Sequence, residues 1–561
     1  MSVARVVRWA VVAAAVLAAS LAPTAFGQGP GAAAPPTTQL GLGLSGGPIP
    51  PAGSDVGVRA IKVLADWSLI EAQRGRPEWT ALDRAVAEAS QQGLRPVVVL
   101  AHTPRWASIG TGADLTRPEI YARQPPREVA DWERFVTAAA ARYRGRVGEW
   151  QVWTQIGLPQ FRGTGTEYLA LLRAASGRLR AADPSARVAL ATPAGVDLGF
   201  VTRVILDAPA AFDVVALSPH GFAPETLLRP LAVLGERARP ARKAIWIDWT
   251  PPADATAPSP TAAWARLLAV AQAAGVERVY ALAPGDLPHL RVASAVVARP
   301  FAGYLIRDPD TYAVVFAPRD GSGEAVALAW ATTAGRLLDV PATAQAAGLD
   351  GAPVDQEVRE GRLSLRLGPA PVLVSRLPPA LAEEARATAA RGPWLPPVPP
   401  ERDYARAPEV SARLGRVGEE RGLYNLPYRG RRNGAVEPVD VGGEEAVQTS
   451  VARQVIYVYF DIDDTFVYFA EGRVLLEVVL EVLAPRAWQQ VGFNLLYDST
   501  SGYRFTPWQW LEPGDGWRTV TVRLTDATMA NTWGWDFAIN TAGNRAADLV
   551  VRRVTVRKGA R

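Results

Sequence analysis

Between residues 39 and about 295 the chain alternates short, almost continuously apolar runs with longer stretches whose apolar residues recur every three or four positions. The runs VRAIKVLA, RPVVVLA, VGEWQVW, RVALAT, FDVVALS, KAIWIDW and VERVYALA are separated by stretches such as WTALDRAVAEASQQG and EYLALLRAASGRLRAADP. Runs apolar on both faces that alternate with amphipathic helices predict a parallel sheet covered by helices. With GLGLSGG as the first strand there are eight runs, the tally of a (β/α)8 barrel. A doubly wound open sheet does not normally need eight strands, nor place aromatic and polar residues at nearly every strand end.

The period then changes. Residues 299–378 alternate apolar and polar positions around turn signals such as RDGSGE, which predicts a small antiparallel β domain. Residues 379–423 are rich in Pro, Ala and Arg and read as a linker with a helix. Residues 424–561 return to strands, VIYVYFDIDD, RVLLEVVLEVL, QVGFNLLYDS, WRTVTVRLTD, WGWDFAIN and ADLVVRRVTVR, spaced as in a jelly-roll β-sandwich. The expected fold class is therefore α/β plus all-β, with the barrel over 39–298.

Composition changes this picture in three places. Residues 1–27 carry Arg5 and Arg8, then an Ala/Val/Leu core, then small residues at Ala25 and Gly27, which predicts a cleaved secretory signal. The core is short for a span and broken by Pro23, which weighs against an uncleaved membrane anchor. Residues 28–38 read as a linker, and no later segment is apolar enough to cross a bilayer, so the expected destination is secreted or cell surface. The chain has no cysteine, which excludes disulfides and thiolate metal sites. A net charge of +5, with arginines scattered among acids, argues against a nucleic-acid track.

The strand ends carry the candidate chemistry, because barrel active sites lie at the C-terminal face. Trp67 and Glu71, then Trp79, Leu82 and Asp83, then Thr103, Pro104 and Trp106 form an ordered set of motifs. That set resembles the second and third strands of clan A glycoside hydrolases of the family 39 and family 5 type, and the likeness continues along nearly all of the barrel. The resemblance implies an acid/base glutamate at the end of the fourth strand and a nucleophilic glutamate at the end of the seventh. Laid on this chain, the fourth-strand motif falls on Trp153, Thr154, Gln155 and Ile156, with Gln155 at the acid/base position. The seventh-strand motif falls on Ile247, Asp248 and Trp249, with Trp249 at the nucleophile position, and the sixth-strand motif falls on Ser218, Pro219 and His220. A retaining glycosidase needs a carboxylic acid and a second carboxylate about 5–5.5 Å apart. Glutamine has no proton to give, but its amide can hold a sugar oxygen. Asp248 is the contender for a relocated nucleophile, although strand alternation aims it away from residue 249. Glu71, Glu149 and Glu225 read as surface or supporting acids.

Trp67, Trp106, Trp153, Trp246 and Trp249 fall near strand ends, where indole faces stack on pyranoses, so with Gln155 and His220 they form the expected sugar-binding set. The last domain resembles galactose-binding jelly rolls used as carbohydrate-binding modules, and Trp508, Trp510, Trp533 and Trp535 are its candidate second sugar site. Asp461, Asp463 and Asp464 are weak candidates for a structural calcium, with a solvated turn as the alternative, and no other cofactor is expected. The three histidines, 102, 220 and 289, are too scattered in sequence to name a metal site. The expected function is binding of polysaccharide or oligosaccharide without cleavage; the alternatives are an active glycoside hydrolase using relocated carboxylates, and a surface assembly protein.

Overall fold

The computed structural model describes residues 38–43, 57–157, 159–252, 259–282, 284–296, 298–305, 310–317, 324–390, 402–426, 434–545 and 547–559. The expected secretory signal over 1–27 and nearly all of the expected linker over 28–38 lie outside them. Eight parallel strands close a barrel: β1 (Gln39–Leu42), β2 (Val58–Asp66), β3 (Arg95–Ala101), β4 (Glu149–Val152), β5 (Arg187–Ala194), β6 (Val214–Ser218), β7 (Ala244–Trp249) and β8 (Arg278–Ala281). β1 pairs with both β2 and β8, so no edge is left open.

The side chains divide by strand alternation. Outward residues such as Val98, Leu100, Val188, Leu190, Ile245 and Ile247 join the helix-facing core. Inside, Ala60, Val97, Ala189, Val214, Ala216, Trp246 and Tyr280 form a separate cluster. Beneath them the N-terminal end is closed by charge: Arg278 and Arg187 both bond Glu149, and Arg187 also bonds Glu277. The alternation explains why the barrel strands read as continuously apolar although their inner faces are partly polar: only every second position meets the interior.

After the barrel, a five-stranded and a three-stranded antiparallel sheet form the small β domain. The helix Pro379–Ala390 lies against its strand Phe301–Leu305, with the Ala385 carbonyl packed where Gly303 has no Cβ. The last part is a two-sheet antiparallel sandwich, and each of the six runs expected as strands there contributes one. One expectation needs correction. The stretch read as linker contributes Glu409–Arg413, which pairs with the terminal strand Val550–Gly559, so the sandwich recruits residues ahead of 424. Its alternating EVSAR pattern was too short to stand out beside the Pro-rich sequence around it.

Barrel, small β domain and sandwich are joined by polar contacts. Glu225, buried after β6, accepts two hydrogen bonds from Arg266 of the helix Pro260–Ala273 and one from Trp330 of the strand Ala325–Ala331. The sandwich meets the loops after β5 and β6. Val196 N donates to Thr532 O at 3.1 Å, and Gly195 (φ 79°) leaves room for the same carbonyl, which any Cβ would strike. Arg229 pairs with Asp464 at 2.9 Å, while Phe469 and Ala530 complete the barrel's outer core.

Two outcomes follow for stability. Glu225→Ala strands a buried guanidinium and costs about 3–5 kcal/mol, read as a lowered unfolding midpoint; Trp330→Phe, which removes one donor, costs about 1 kcal/mol. The second concerns pH. Burial pushes the Asp197 carboxyl up to about 6 and those of Asp498 and Asp461 up to about 7, and it raises Asp464 to about 6 against the pull of Arg229. Folded values above the ordinary ~3.9 mean that the native state holds more protons than the unfolded chain. Stability therefore falls as pH rises from about 4 to about 7 and then levels. Thermal midpoints measured across that window should decline, and Asp498→Asn should flatten the decline; an unchanged slope contradicts the assignment.

Candidate functional site

β7 decides what the C-terminal face of the barrel can do. Trp246 and Asp248 point into the barrel, and Trp249 points out, where its ring packs edge-on against Trp264 at 4.7 Å and its Nε1 donates to Phe222 O. The inward side chain at the end of the seventh strand is therefore Asp248. The motif-based placement of Trp249 in the cleft is corrected by the period of two. Asp248 does not stand free: it is bonded to the ammonium of Lys62, an inward residue of β2. Lys62 is buried and also sits 4.3 Å from the Tyr280 ring centre. Burial lowers its pKa, and the attraction and hydrogen bond of Asp248 oppose that shift.

At the end of β2, Asp66 accepts from Ser68 N at 3.0 Å, capping the turn that follows, and its other oxygen lies 2.7 Å from His102 Nδ1. Burial works to raise the Asp66 carboxyl, but the bonds and charge of His102, with the Ser68 bonds, outweigh it and hold it below its usual value. His102 follows β3 in the left-handed conformation, φ 68°, which turns its ring back toward Asp66. His220, half-buried after β6, has its pKa lowered, chiefly by burial and further by Lys62, with Asp248 pulling the other way. Its Nδ1 is buried and has no hydrogen-bond partner among the described residues, and the same holds for Gln151 Oε1 and Thr154 Oγ1.

At the fourth strand, Trp153 adopts φ 69° directly after Val152. That turn sends its ring into the helix layer against Phe161 (4.9 Å) and Trp132 (6.4 Å), with Nε1 donating to Gln160 O. Trp67 is likewise sealed, stacked on Phe135 at 5.3 Å and bonded to Glu71. Trp246 fills the barrel interior, its Nε1 on Glu277. Of the five tryptophans expected to line the cleft, Trp67, Trp153, Trp246 and Trp249 are fully buried and cannot stack on a sugar. Trp106 is half-buried, donating to Glu71 O, with the Arg74 guanidinium 5.4 Å from its ring. Gln155 is half-buried, and its amide has no hydrogen-bond partner among the described residues.

The three glutamates weighed as catalytic are engaged. Glu71 accepts from Trp67 and from Gly75 N, Glu225 from Arg266 and Trp330, and Glu149 lies at the opposite end of the barrel with Arg278. Lys62, Asp66 and His102 were missed as site residues. A lysine in the middle of VRAIKVLAD was the available signal, since a charge in a strand covered on both faces must find a partner.

In the sandwich, the four candidate tryptophans separate into two places. Trp533 stacks on Tyr503 at 4.2 Å and Trp535 leans on the same ring, close to the barrel contact. Trp508 and Trp510 lie elsewhere, 5.4 Å from each other. The calcium candidates do not converge either. Asp463 is used by Thr465 and Tyr424, Asp464 by Arg229 and Asn531, and Asp461 packs toward Asp536. Among the described residues no three His, Asp or Glu side chains are arranged to hold a metal ion. No helix of the described residues is long and apolar enough to cross a membrane.

Comparison with known proteins finds no matching family model and no matching curated protein. Among solved structures the chain is similar to a family 39 glycoside hydrolase from the gut symbiont Bacteroides cellulosilyticus WH2, at 17% identity, covering 60% of this chain and 80% of that one, with a TM-score of 0.46. It is also similar to a glucosidase from Croceicoccus marinus, at 13% identity over 93% and 96% of the two chains, TM-score 0.38. A third is a family 30 endoxylanase from Clostridium papyrosolvens C71, at 13% identity over 62% and 98%, TM-score 0.43. These are likenesses at low identity to glycoside hydrolases, and the barrel itself is established by the closed ladder of β1 to β8.

Proposed function

We propose that the protein is exported, binds polysaccharide or oligosaccharide, and does not cleave it by the two-carboxylate route. One observation carries the reading: the carboxylates that end β7 and β2 are already paired, Asp248 with Lys62 and Asp66 with His102, while an amide stands at position 155. A retaining hydrolase needs one carboxyl free to donate a proton and another free to attack. An ion-paired Asp248 is a poor nucleophile, because attack on a sugar carbon requires it to leave a buried ammonium behind. What remains half-exposed at the mouth, Gln155 with its amide, is suited to holding hydroxyl groups. Export rests on the N-terminal signal pattern alone.

The second reading, hydrolysis with relocated acids, is favoured by one fact: Asp248 does point inward at the end of β7. The two are separated by incubating the purified protein with insoluble polysaccharides and measuring both retention and reducing ends. Retention with no new reducing ends is expected. Asp248→Asn should leave that result unchanged while lowering the unfolding midpoint, since it leaves the Lys62 ammonium without its counter-charge. Reducing ends that vanish in Asp248→Asn would establish the hydrolase instead.

A further inference from the structure

The sandwich carries an open groove of about 510 Å³ that lies apart from both the barrel mouth and the Trp533 pair, lined by Trp488, Gln490, Trp510, Leu511, Gly543 and Arg545. Its two indoles are among the most exposed large apolar side chains of the protein, Trp488 at 70% and Trp510 at 53%. Burying such rings is common elsewhere in this chain, since seven other tryptophans rank among the largest fully buried side chains, Trp67, Trp132, Trp153, Trp246, Trp249, Trp264 and Trp330. Two left open beside one cavity mark a surface that contacts something.

The walls are held by the fold. Trp510 sits on a short strand paired with Gly492, and Leu511 N donates to Val491 O. Gly492 N donates in turn to the buried Asn544 Oδ1, which fixes the loop carrying Gly543 and Arg545. Trp508 lies beneath, 5.4 Å from Trp510, on space left open by the missing side chain of Gly543. The loop carrying Trp488 is tied at its start by Ala484 N to Gly516 O and by Gly514 N to Pro485 O. Three segments distant in sequence are thus anchored around one opening, so the rings need little ordering on binding. Arg545 is exposed on the rim and has no acidic partner among the described residues.

We propose that this groove is a binding site for an acidic oligosaccharide, with Trp488 and Trp510 stacking on sugar faces, Gln490 bonding hydroxyls and Arg545 pairing with a uronic carboxylate. Indole faces suit the apolar faces of pyranoses, and the guanidinium fork matches a carboxylate in two-point contact. The site shares with the barrel reading only the general class of ligand.

The test is calorimetric titration of the full chain with a short oligogalacturonate and, as the neutral comparison, a cello-oligosaccharide of equal length. The acidic sugar should bind more tightly and weaken as salt is raised. Trp488→Ala and Trp510→Ala should each weaken it about tenfold. Arg545→Gln should remove the preference for the acidic sugar while leaving neutral binding within about twofold. All three side chains are exposed, and matching unfolding midpoints confirm intact folding. No binding of oligogalacturonate, equal affinity for the neutral sugar, or an Arg545→Gln variant that binds the acidic one unchanged overturns the proposal. Retention on polysaccharide that survives in the Trp488→Ala/Trp510→Ala double variant leaves the barrel reading standing on its own.

Discussion

A lysine inside a closed barrel has to be answered by a carboxylate, and that requirement shapes the C-terminal face of this protein. The Lys62 side chain is cut off from water by Tyr280 and Trp246 below it and by the strands around it. An unpaired ammonium there would cost several kcal/mol, so the fold supplies Asp248 from across the barrel. The pair couples β2 to β7 through the interior. It also engages the inward acid at the end of β7, which on the proposed reading keeps it from acting as a nucleophile. Charge at the opposite end is organised by the same logic, with Glu149 and Glu277 answering Arg278 and Arg187. The interior is therefore layered: ion pairs at the bottom, aromatic and small apolar groups in the middle, and Lys62 with Asp248 toward the top.

Much of the architecture was legible because it depends on local pattern. Continuous apolar runs separated by amphipathic helices gave the barrel strands, and alternation gave the antiparallel sheets, because burial on one or two faces leaves a periodic trace in the chain. Side-chain direction at the strand ends was much less so. For β7 the alternation did aim Asp248 away from residue 249, and following it rather than the motif puts Asp248 inside and Trp249 among the helices. For β4 no pattern could have done so, since Trp153 leaves the strand by a left-handed turn that a non-glycine residue seldom adopts. The aromatic strand ends looked like a sugar platform because stacking on a pyranose and stacking on Phe135 or Phe161 call for the same residue types.

Pairing was the other hidden layer. Lys62 and Asp248 are 186 positions apart, and Glu225 meets Trp330 across 105. Sequence shows that a buried charge needs a partner but not which of many acids supplies it. The contact of the sandwich with the barrel was hidden for the same reason. It depends on one glycine, Gly195, giving way to one carbonyl, that of Thr532, and on two buried carboxyl groups, Asp197 and Asp498, held near enough for the charge of the first to add to the effect of burial on the second.

That contact bears on the mouth of the barrel. The sandwich holds the loops after β5 and β6, and the second of these carries both His220 and Phe222, whose carbonyl receives the Trp249 N–H. A wall fixed in this way loses little freedom when a ligand arrives. Hydrolysis would gain little from such rigidity without a free acid and a free nucleophile. Recognition, as proposed, needs no such pair: half-buried Gln155 offers an amide at the mouth. A hydroxyl-rich ligand can use both the donor and the acceptor of that amide, whereas an apolar one cannot. The proposed reading, recognition without two-carboxylate cleavage, therefore rests on this fixed wall together with the pairing of Asp248 and Asp66.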